Sequence, residues 1–263
     1  MNRGDDLILI GGAPRSGTTL LRAIIGASSN IFCGPELRTI PSLCTLCDNI
    51  TDASGPTLSR AYGVDKNRID AAAAGAIAAF LAPAKKASGA VRAAEKTPTN
   101  ILHFPTLRRL FPDAYLISIV RDGRDVVSSL LQMTWRDART GEPMAVTQSP
   151  QMAANLWAAS VANDQAMAGD KRFFSLRYED LVRSPAEEIT KLFDFLGEPT
   201  PNLALYHDHV FDALEGENEA SAARVAEPID TTAIGRWRKD LAPGQLASVN
   251  ATAGPWLERY GYV

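Results

Sequence analysis

The sequence predicts an α/β fold with a central, mostly parallel sheet, and two strand-to-helix units carry this prediction. Residues 7–10 are a short apolar run rich in Ile and Leu, typical of a buried strand, and residues 20–25 continue with helical spacing. Residues 114–120 are a second such run before a predicted helix over 126–133. The chain has 263 residues, of which 46% are hydrophobic, so residues 1–263 are predicted to form a single domain.

The segment G-A-P-R-S-G-T-T-L at residues 12–20 joins the first strand to the first helix and looks like a phosphate-binding loop. Glycines let backbone N–H groups close around an anion, and the helix N-terminus adds partial positive charge. The pattern G-x-x-x-x-G-K-[ST] has a lysine where Thr18 stands, so Arg15 supplies the positive charge here. The loop predicts binding of a nucleotide phosphate or a phosphosulfate. A plain turn with Arg15 facing solvent is the alternative.

The following elements bring more charged residues to the same edge of the sheet. Alanine-rich residues 70–84 predict a helix closed by 85–89, and residues 99–110 have helical spacing. The strand over 114–120 then presents Arg121 at its carboxyl end. Because ligands of open α/β sheets bind outside the carboxyl ends of the strands, we expect Arg121 to meet the glycine-rich loop in one crevice.

In the second half of the chain, predicted helices and strands continue to alternate. Polar residues 134–149 predict a surface loop or lid, a helix is predicted over 153–168, and a strand over 172–178. Ser184 is the predicted N-cap of the next helix, since a proline and two glutamates follow it. An apolar helix through Tyr260 closes the predicted fold.

Composition and charge exclude several classes of protein. The formal net charge is −3, so a nucleic-acid-binding surface is not expected and any anion site must be a local cluster of cations. The first residues read as neither a signal peptide nor a membrane span. Three cysteines, Cys33, Cys44 and Cys47, leave no full disulfide framework and favour a reducing compartment. Cys44 and Cys47 form a lone C-x-x-C, which we interpret as two small buried residues; no metal site is expected.

Four motifs in this sequence together resemble the sulfotransferase superfamily, whose members transfer a sulfuryl group from 3′-phosphoadenylyl sulfate (PAPS). The motifs are P-R-S-G-T-T-L at 14–20, V-R-D-G-R at 120–124 with Ser129, R-Y-E-D-L at 177–181, and R-W at 236–237. In addition, C-G-P-E-L-R-T-I-P at residues 33–41 is similar to the segment that follows the phosphosulfate loop in protein-tyrosine sulfotransferases. The resemblance implies a P-loop-like, three-layer sandwich with helices on both faces of the sheet.

The resemblance also implies which residues bind the cofactor. It assigns the 5′-phosphosulfate to the loop residues Arg15, Ser16, Gly17, Thr18 and Thr19. It assigns the 3′-phosphate to Arg121 and Ser129, and further nucleotide contacts to Tyr178 and Arg236. The implied product is adenosine 3′,5′-bisphosphate (PAP), and no metal is implied.

The catalytic roles that the resemblance implies are a general base, Glu36, and charge stabilisation by Arg15, Lys96 and Ser221, with Arg38 binding the acceptor. These residue types suit the reaction. A tyrosine hydroxyl is mostly protonated at neutral pH, so it needs a base, and sulfuryl transfer develops negative charge, which cations stabilise.

Ordinary structural roles are alternatives for several of these residues. Glu36 could be a surface carboxylate beside Arg38, Lys96 a solvated loop lysine, and Tyr178 a buried strand tyrosine. Arg121 could form a strand-end ion pair with Asp122 or Asp125.

Departures from the tyrosine-sulfotransferase pattern suggest a different cellular setting. The Golgi enzymes have a membrane anchor and a disulfide at the cysteine matched by Cys33, but Ala94 stands where its partner is expected. We therefore expect a soluble, cytoplasmic, bacterial protein. The basic position expected near the 3′-phosphate falls on Met133, although Arg136 or Arg139 could approach from the loop.

The favoured hypothesis is a PAPS-dependent sulfotransferase that acts on tyrosine in a peptide or small protein, without nucleic acid or membrane partners, as a possible homodimer. A small-molecule or glycan O-sulfotransferase is the alternative within the superfamily. A P-loop kinase, or a non-catalytic nucleotide-binding protein, is the alternative outside it; the kinase would need the lysine that is missing at Thr18.

Overall fold

A parallel sheet of five strands forms the centre of the protein. The computed structural model describes residues 3–202, 225 and 227–263. The strands pair in the order β2-β3-β1-β4-β5, and every pair is parallel. They are β1 (Leu7–Gly11), β2 (Ile31–Cys33), β3 (Arg92–Lys96), β4 (Tyr115–Val120) and β5 (Phe173–Arg177). The α/β prediction with a central parallel sheet is confirmed.

Helices connect and cover these strands. A π-helix (Ile50–Ser54) and a 3-10 helix (Pro98–His103) interrupt the series. The described α-helices are α1 (Thr18–Gly26), α2 (Thr39–Asn49), α3 (Gly55–Tyr62), α4 (Lys66–Ser88), α5 (Phe104–Leu110), α6 (Gly123–Leu131), α7 (Ala145–Gln148), α8 (Pro150–Ala166), α9 (Tyr178–Arg183), α10 (Pro185–Leu196), α11 (Trp237–Asp240) and α12 (Pro243–Arg259). None of these helices is long and apolar enough to cross a lipid bilayer.

The two faces of the sheet have separate hydrophobic cores, which explains why β1 is apolar at every position. Successive strand residues point to opposite faces. Leu7 and Leu9 pack in the core covered by α2, α4 and α5. Ile8 and Ile10 pack in the core covered by α1, α9 and α10. The predicted three-layer sandwich is therefore confirmed, and a third core joins α6, α8 and α12 beside the sheet.

The structure corrects several element boundaries. Helix α4 begins at Lys66 rather than residue 70, because the Asp65 side chain caps it by accepting from Arg68 N, and it continues to Ser88. Strands β2 and β3 and helices α2 and α3 lie where no element is predicted from the sequence. The Ser184 side chain makes no capping hydrogen bond, although α10 begins at the next residue.

The two cysteines of the C-x-x-C motif both lie in α2. Cys44 and Cys47 are buried in α2, as predicted, and burial raises the pKa of the Cys44 thiol to about 12. A thiol with such a pKa is protonated at neutral pH and is a poor nucleophile.

Candidate active site

The glycine-rich loop between β1 and α1 leaves a helix N-terminus open at the carboxyl edge of the sheet. Gly17 is the N-cap of α1, no side chain caps the helix, and its first turn has no acidic residue. The first N–H groups of a helix have no partner within the helix. Gly17 has a φ of 102°, and a β-carbon there would lie 2.6 Å from Tyr178 Cδ2. The loop thus offers N–H groups and partial positive charge to an anion.

Two arginines flank this N-terminus. Arg15 has a φ of 75°, and its Nε donates to Ser129 Oγ at 3.0 Å. Arg121, which follows β4, donates from Nη1 to the Arg15 carbonyl at 3.1 Å and lies 4.7 Å above the Tyr178 ring. The buried Arg121 Nε has no hydrogen-bond partner in the described part of the chain. The loop and the end of β4 therefore meet in one crevice, as predicted.

Arg121 also takes part in the ion pair that we considered as its ordinary role. Arg121 Nη2 lies 3.8 Å from Asp125 Oδ2 and donates to the Ala233 carbonyl. Asp125 in turn accepts from Gly235 N at 2.7 Å and Trp237 N at 2.9 Å. Burial raises the pKa of Asp125 even though these N–H groups and Arg121 favour its charged form. Asp125, which the sequence analysis named only as a possible partner of Arg121, thus fixes the segment that carries Arg236.

Glu36 and Lys96 form an ion pair in which Lys96 Nζ donates to Glu36 Oε1 at 2.5 Å. Lys96 is the last residue of β3 and its side chain is 0% exposed, so it is not a solvated loop lysine. Glu36 is 13% exposed, and its Oε2 accepts from Arg38 Nε at 3.1 Å. Glu36 therefore lies beside Arg38, as the surface alternative supposed, but it also contacts a buried cation.

A cavity of about 610 Å³ brings most of the predicted site residues together. Predicted residues on its wall are Arg15, Gly17, Thr18, Thr19, Glu36, Arg38, Arg121, Ser129, Tyr178 and Arg236. The loop predicted over 134–149 also reaches the cavity and adds Trp135, Arg136 and Met144. Arg136 therefore approaches the site, whereas Arg139 is not on its wall.

Three predicted residues do not line this cavity with the others. Ser16 is fully buried, its N–H donates to Ala13 O at 3.0 Å, and it faces a separate small void. The contact between Ser16 and the cofactor stays a prediction, and the buried Ser16 Oγ has no hydrogen-bond partner in the described part of the chain. Lys96 is buried behind Glu36. Ser221 lies outside the described residues.

Within the described residues, no three or more His, Cys, Asp or Glu side chains are grouped so that they could hold a metal ion. The cations that line the cavity are instead arginine side chains, which bind anions through several N–H donors.

Comparison with known proteins identifies the family. Residues 7–202 match the model of the Sulfotransferase family. Protein-tyrosine sulfotransferase of Drosophila melanogaster is 30% identical over 269 residues, which cover 99% of this chain and 52% of that relative. Protein-tyrosine sulfotransferase 2 of Gallus gallus is 30% identical over 273 residues, which cover 97% of this chain and 69% of that relative. The chain thus spans about half the length of the Drosophila relative.

Solved structures show the same fold. The sulfotransferase domain from the curacin biosynthetic pathway has a TM-score of 0.66 at 20% identity, covering 97% of this chain and 98% of that domain. Mouse sulfotransferase SULT7A1, solved in complex with PAP, has a TM-score of 0.56 at 14% identity, covering 98% of this chain and 86% of its own. The parallel sheet, the loop at its carboxyl edge and these matches agree with the motifs, and the chain belongs to the sulfotransferase family.

Proposed function

We propose that this protein transfers a sulfuryl group from PAPS to the hydroxyl of a tyrosine in a peptide or small protein. The observation that carries the proposal is that Glu36, paired with Lys96, opens onto the same cavity as the uncapped N-terminus of α1. The protein-tyrosine sulfotransferases among its relatives support tyrosine as the acceptor.

The residues of the cavity fit PAPS, which has anionic groups at both its 5′ and 3′ positions. The open N-terminus of α1 with Arg15 suits one anion, and Arg121, with its unpartnered buried Nε, suits the other together with Ser129. Leu20, Val182 and Ile229 give part of the cavity an apolar wall, which suits a nucleobase. A volume near 610 Å³ is within the range of small-molecule sites. When bound, PAPS supplies the sulfuryl group that is transferred.

Glu36 is the general base in this proposal. A tyrosine hydroxyl has a pKa of about 10, so a positioned carboxylate must take its proton during attack, which contributes about 10² to 10⁴-fold in rate. Lys96 and Arg38 each bind one oxygen of Glu36 and so hold the carboxylate in place. Proton transfer neutralises Glu36, and the Lys96 ammonium then lies beside an uncharged carboxyl. The Lys96 ammonium, together with Arg15, can then stabilise the negative charge that develops in the cavity during transfer.

The acceptor side of the cavity combines cations and apolar side chains. Arg38 is 68% exposed at its side chain, so it can bind the acceptor while it holds Glu36. Arg136 also lines the cavity. Trp135, its neighbour in the sequence, and Met144, across the loop, line the cavity too. These side chains suit an aromatic ring with neighbouring carboxylates.

A direct assay tests the proposal. The protein is incubated with PAPS and, separately, a tyrosine peptide, a sugar and a simple phenol, and each acceptor is examined by mass spectrometry. We expect a mass gain of one sulfuryl group on the peptide, with activity retained in EDTA. Transfer only to the sugar or the phenol would replace the tyrosine acceptor by the small-molecule or glycan alternative.

Thermal-shift titration separates the cofactor classes, since a ligand that binds the native state raises its stability. PAP should stabilise the protein, and ATP with Mg²⁺ should not; the reverse result would indicate a kinase. The Glu36→Gln variant serves as the control for catalysis, because it should keep the PAP shift and lose transfer to tyrosine. A non-catalytic nucleotide-binding protein would show the PAP shift without any transfer by the wild type.

We also propose a cytoplasmic location, because three cysteines leave no full disulfide framework and two of them, Cys44 and Cys47, are buried thiols. Acid quenching of cells, followed by alkylation of the denatured protein, should find three reduced cysteines; a disulfide would contradict this location. The homodimer stays a prediction that light scattering of the purified protein can test. The bacterial source also stays a prediction, and the two relatives named above are from animals.

A further inference from the structure

A buried carboxylate that the proposed chemistry does not use lies directly beneath the site. Glu95 is the residue before Lys96 in β3 and is 2% exposed. Its Oε1 accepts from Leu37 N at 3.1 Å and from Thr97 Oγ1 at 2.7 Å, and its Oε2 accepts from Asn100 Nδ2 at 2.6 Å. All of these partners are donors, which matches an ionised carboxylate that only accepts. Burial raises the pKa of Glu95, and these hydrogen bonds oppose that rise.

Each donor to Glu95 belongs to a different part of the site. Leu37 follows the predicted base in the loop after β2. Thr97 Oγ1 also accepts from Arg38 N at 3.1 Å, which ties the same loop to β3 a second time. Asn100 Nδ2 also donates to the Ile10 carbonyl at 3.1 Å, close to the start of the glycine-rich loop. The Glu95 carboxylate therefore connects the base, the end of β3 and the beginning of the cofactor loop.

The loop after β2 is fastened on both sides of β3. Successive residues of a strand point to opposite faces, so Glu95 and Lys96 lie on opposite faces of β3. Glu36 contacts Lys96 through its side chain, while the next residue, Leu37, contacts Glu95 through its N–H. The loop therefore crosses the end of the strand with one contact on each face, and both contacts fix where the Glu36 carboxylate lies.

We propose that Glu95 is a positioning residue, which holds the Leu37 amide and thereby aligns the Glu36 carboxylate with the acceptor hydroxyl. The proposal rests on the proposed function, in which Glu36 is the base. Glu95 does not itself line the cavity, although its partner Thr97 does, and it takes no part in proton transfer.

The Glu95→Gln substitution separates this role from simple space filling, because it keeps the shape and adds an NH₂ group. In one orientation of the amide, that NH₂ faces the donor Asn100 Nδ2. In the other orientation, it faces the donors Leu37 N and Thr97 Oγ1. Rotating the Asn100 amide would place its oxygen against the Ile10 carbonyl. Neither orientation keeps all three contacts, so the network that holds the loop is weakened, and a displacement of about 1 Å in a catalytic group can cost about 10²-fold in rate.

The test compares two acceptors that differ only in the pKa of the reacting hydroxyl. One is a tyrosine peptide, and the other is the same peptide with a polyfluorinated tyrosine that is already ionised at about pH 8 and needs no base. For Glu95→Gln we expect kcat on the tyrosine peptide to fall about 10 to 100-fold and kcat on the fluorinated peptide to fall less than about threefold. The Kd of PAP should stay within about threefold of wild type, and PAP stoichiometry gives the folded fraction.

A matched control lies at the opposite end of the same strand. The Glu198 side chain is 9% exposed and accepts from Asn30 Nδ2 at 2.9 Å and from Arg92 Nη1 at 3.4 Å, at the start of β3. The Glu198→Gln variant should leave both kcat values unchanged. An equal loss on both peptides for Glu95→Gln, or no loss on either, would overturn the positioning role.

A second pair of variants keeps the inference testable if Glu95→Gln does not fold. Thr97→Val removes the hydroxyl that joins Glu95 to Arg38 N, and Thr97→Ser restores it. Thr97→Val should show the same selective loss on the tyrosine peptide, and Thr97→Ser should recover it; equal activity of the two variants would contradict the role. If the wild type sulfates neither peptide, the proposed function fails; if the wild type is active and both variants match it, only the role of Glu95 fails.

Discussion

Replacing Lys96 by Met tests whether this buried lysine acts in the reaction or only in the fold. The Lys96 side chain ends β3, is 0% exposed, and donates to Glu36 Oε1 at 2.5 Å. Methionine has nearly the same length and removes the positive charge. The substitution therefore changes the charge of the site while it preserves most of the packing.

The expected effect on stability is small, because two contributions offset each other. Removing one partner of a buried ion pair is strongly destabilising when it leaves the other charge buried and unpaired, whereas replacing buried charges by apolar groups often stabilises. Glu36 would keep its contact with Arg38 at 3.1 Å and its access to water, so it is not left as an isolated buried charge. We expect a net change within about 1 kcal/mol, or about 4 °C in Tm for a chain of this size.

The expected effect on the reaction is larger. Losing one preorganised donor to a developing negative charge costs about 10² to 10³-fold in kcat, or about 2.7 to 4 kcal/mol. The free energy by which Lys96 stabilises the transition state therefore exceeds the expected change in folding free energy by about 2 kcal/mol. The Lys96→Met variant should be a well-folded protein with a Tm near that of wild type and a kcat at least about 100-fold lower.

Thermal denaturation, PAP titration and steady-state transfer to a tyrosine peptide measure these quantities on the same preparation. Lys66→Met is the matched control, because Lys66 also pairs with a carboxylate, Asp70 Oδ2 at 2.9 Å, but lies away from the cavity. Its kcat should equal that of wild type. A fall of more than about 10 °C in the Tm of Lys96→Met, with kcat per PAP-binding molecule unchanged, would show that the lysine serves the fold alone.

Three further predictions concern the cofactor site and acid stability. Ser129→Ala should weaken PAP binding about 10 to 100-fold in calorimetry, since it removes a hydrogen bond to a charged group. Binding of 5′-AMP should weaken less, because Ser129 touches the 5′ site only through Arg15; equal losses for both ligands would contradict a 3′-phosphate role. Gly17→Ala should lower both Tm and PAP affinity, because its φ is 102° and the added β-carbon would lie 2.6 Å from Tyr178 Cδ2; a wild-type Kd would refute the close packing of the loop. Burial favours a higher pKa for Asp70, but hydrogen bonds from Lys66 and from Arg109 at 3.0 Å have a larger combined effect. They hold the pKa of Asp70 below 3.8. The stabilisation is fully present above the ordinary pKa of 3.8 and is lost as the pH falls through the lower pKa of the folded protein. Urea denaturation should therefore find Arg109→Leu less stable than wild type at about pH 6, with the difference shrinking mainly below about pH 4.

Three of the five strands, β1, β4 and β5, and the meeting of the motifs could be predicted from the sequence because parallel sheets impose strong rules. Strand β4 and the start of α1 follow from apolar runs next to glycine-rich or charged segments. The rule that ligands bind at the carboxyl ends of strands was enough to place Arg121 beside the glycine-rich loop, and the structure joins Arg121 Nη1 to Arg15 O at 3.1 Å.

Strand β3 could not be predicted, for a reason that is tied to the site. Its sequence R-A-A-E-K carries three charged residues, although all five positions are buried. Charged side chains argue against a buried strand unless each has a partner, and the partners of Glu95 and Lys96 come from distant segments. The burial of Ser16 off the cavity wall could not be predicted either, because a loop motif does not specify which side chains line the cavity and which pack inside the protein.

The backbone shows that the site is built at a cost to local stability. Among the described residues other than glycine, only Arg15 and Arg38 have a positive φ, at 75° and 55°. Arginine has no local preference for this conformation, which costs on the order of 1 kcal/mol, so surrounding contacts must hold it. Both residues have such contacts: Arg121 donates to the Arg15 carbonyl, and Thr97 Oγ1 accepts from Arg38 N. Because both strained residues line the same cavity, and both are held by residues that also contact other parts of the site, we infer that the strain is retained for preorganisation of the cations rather than for packing.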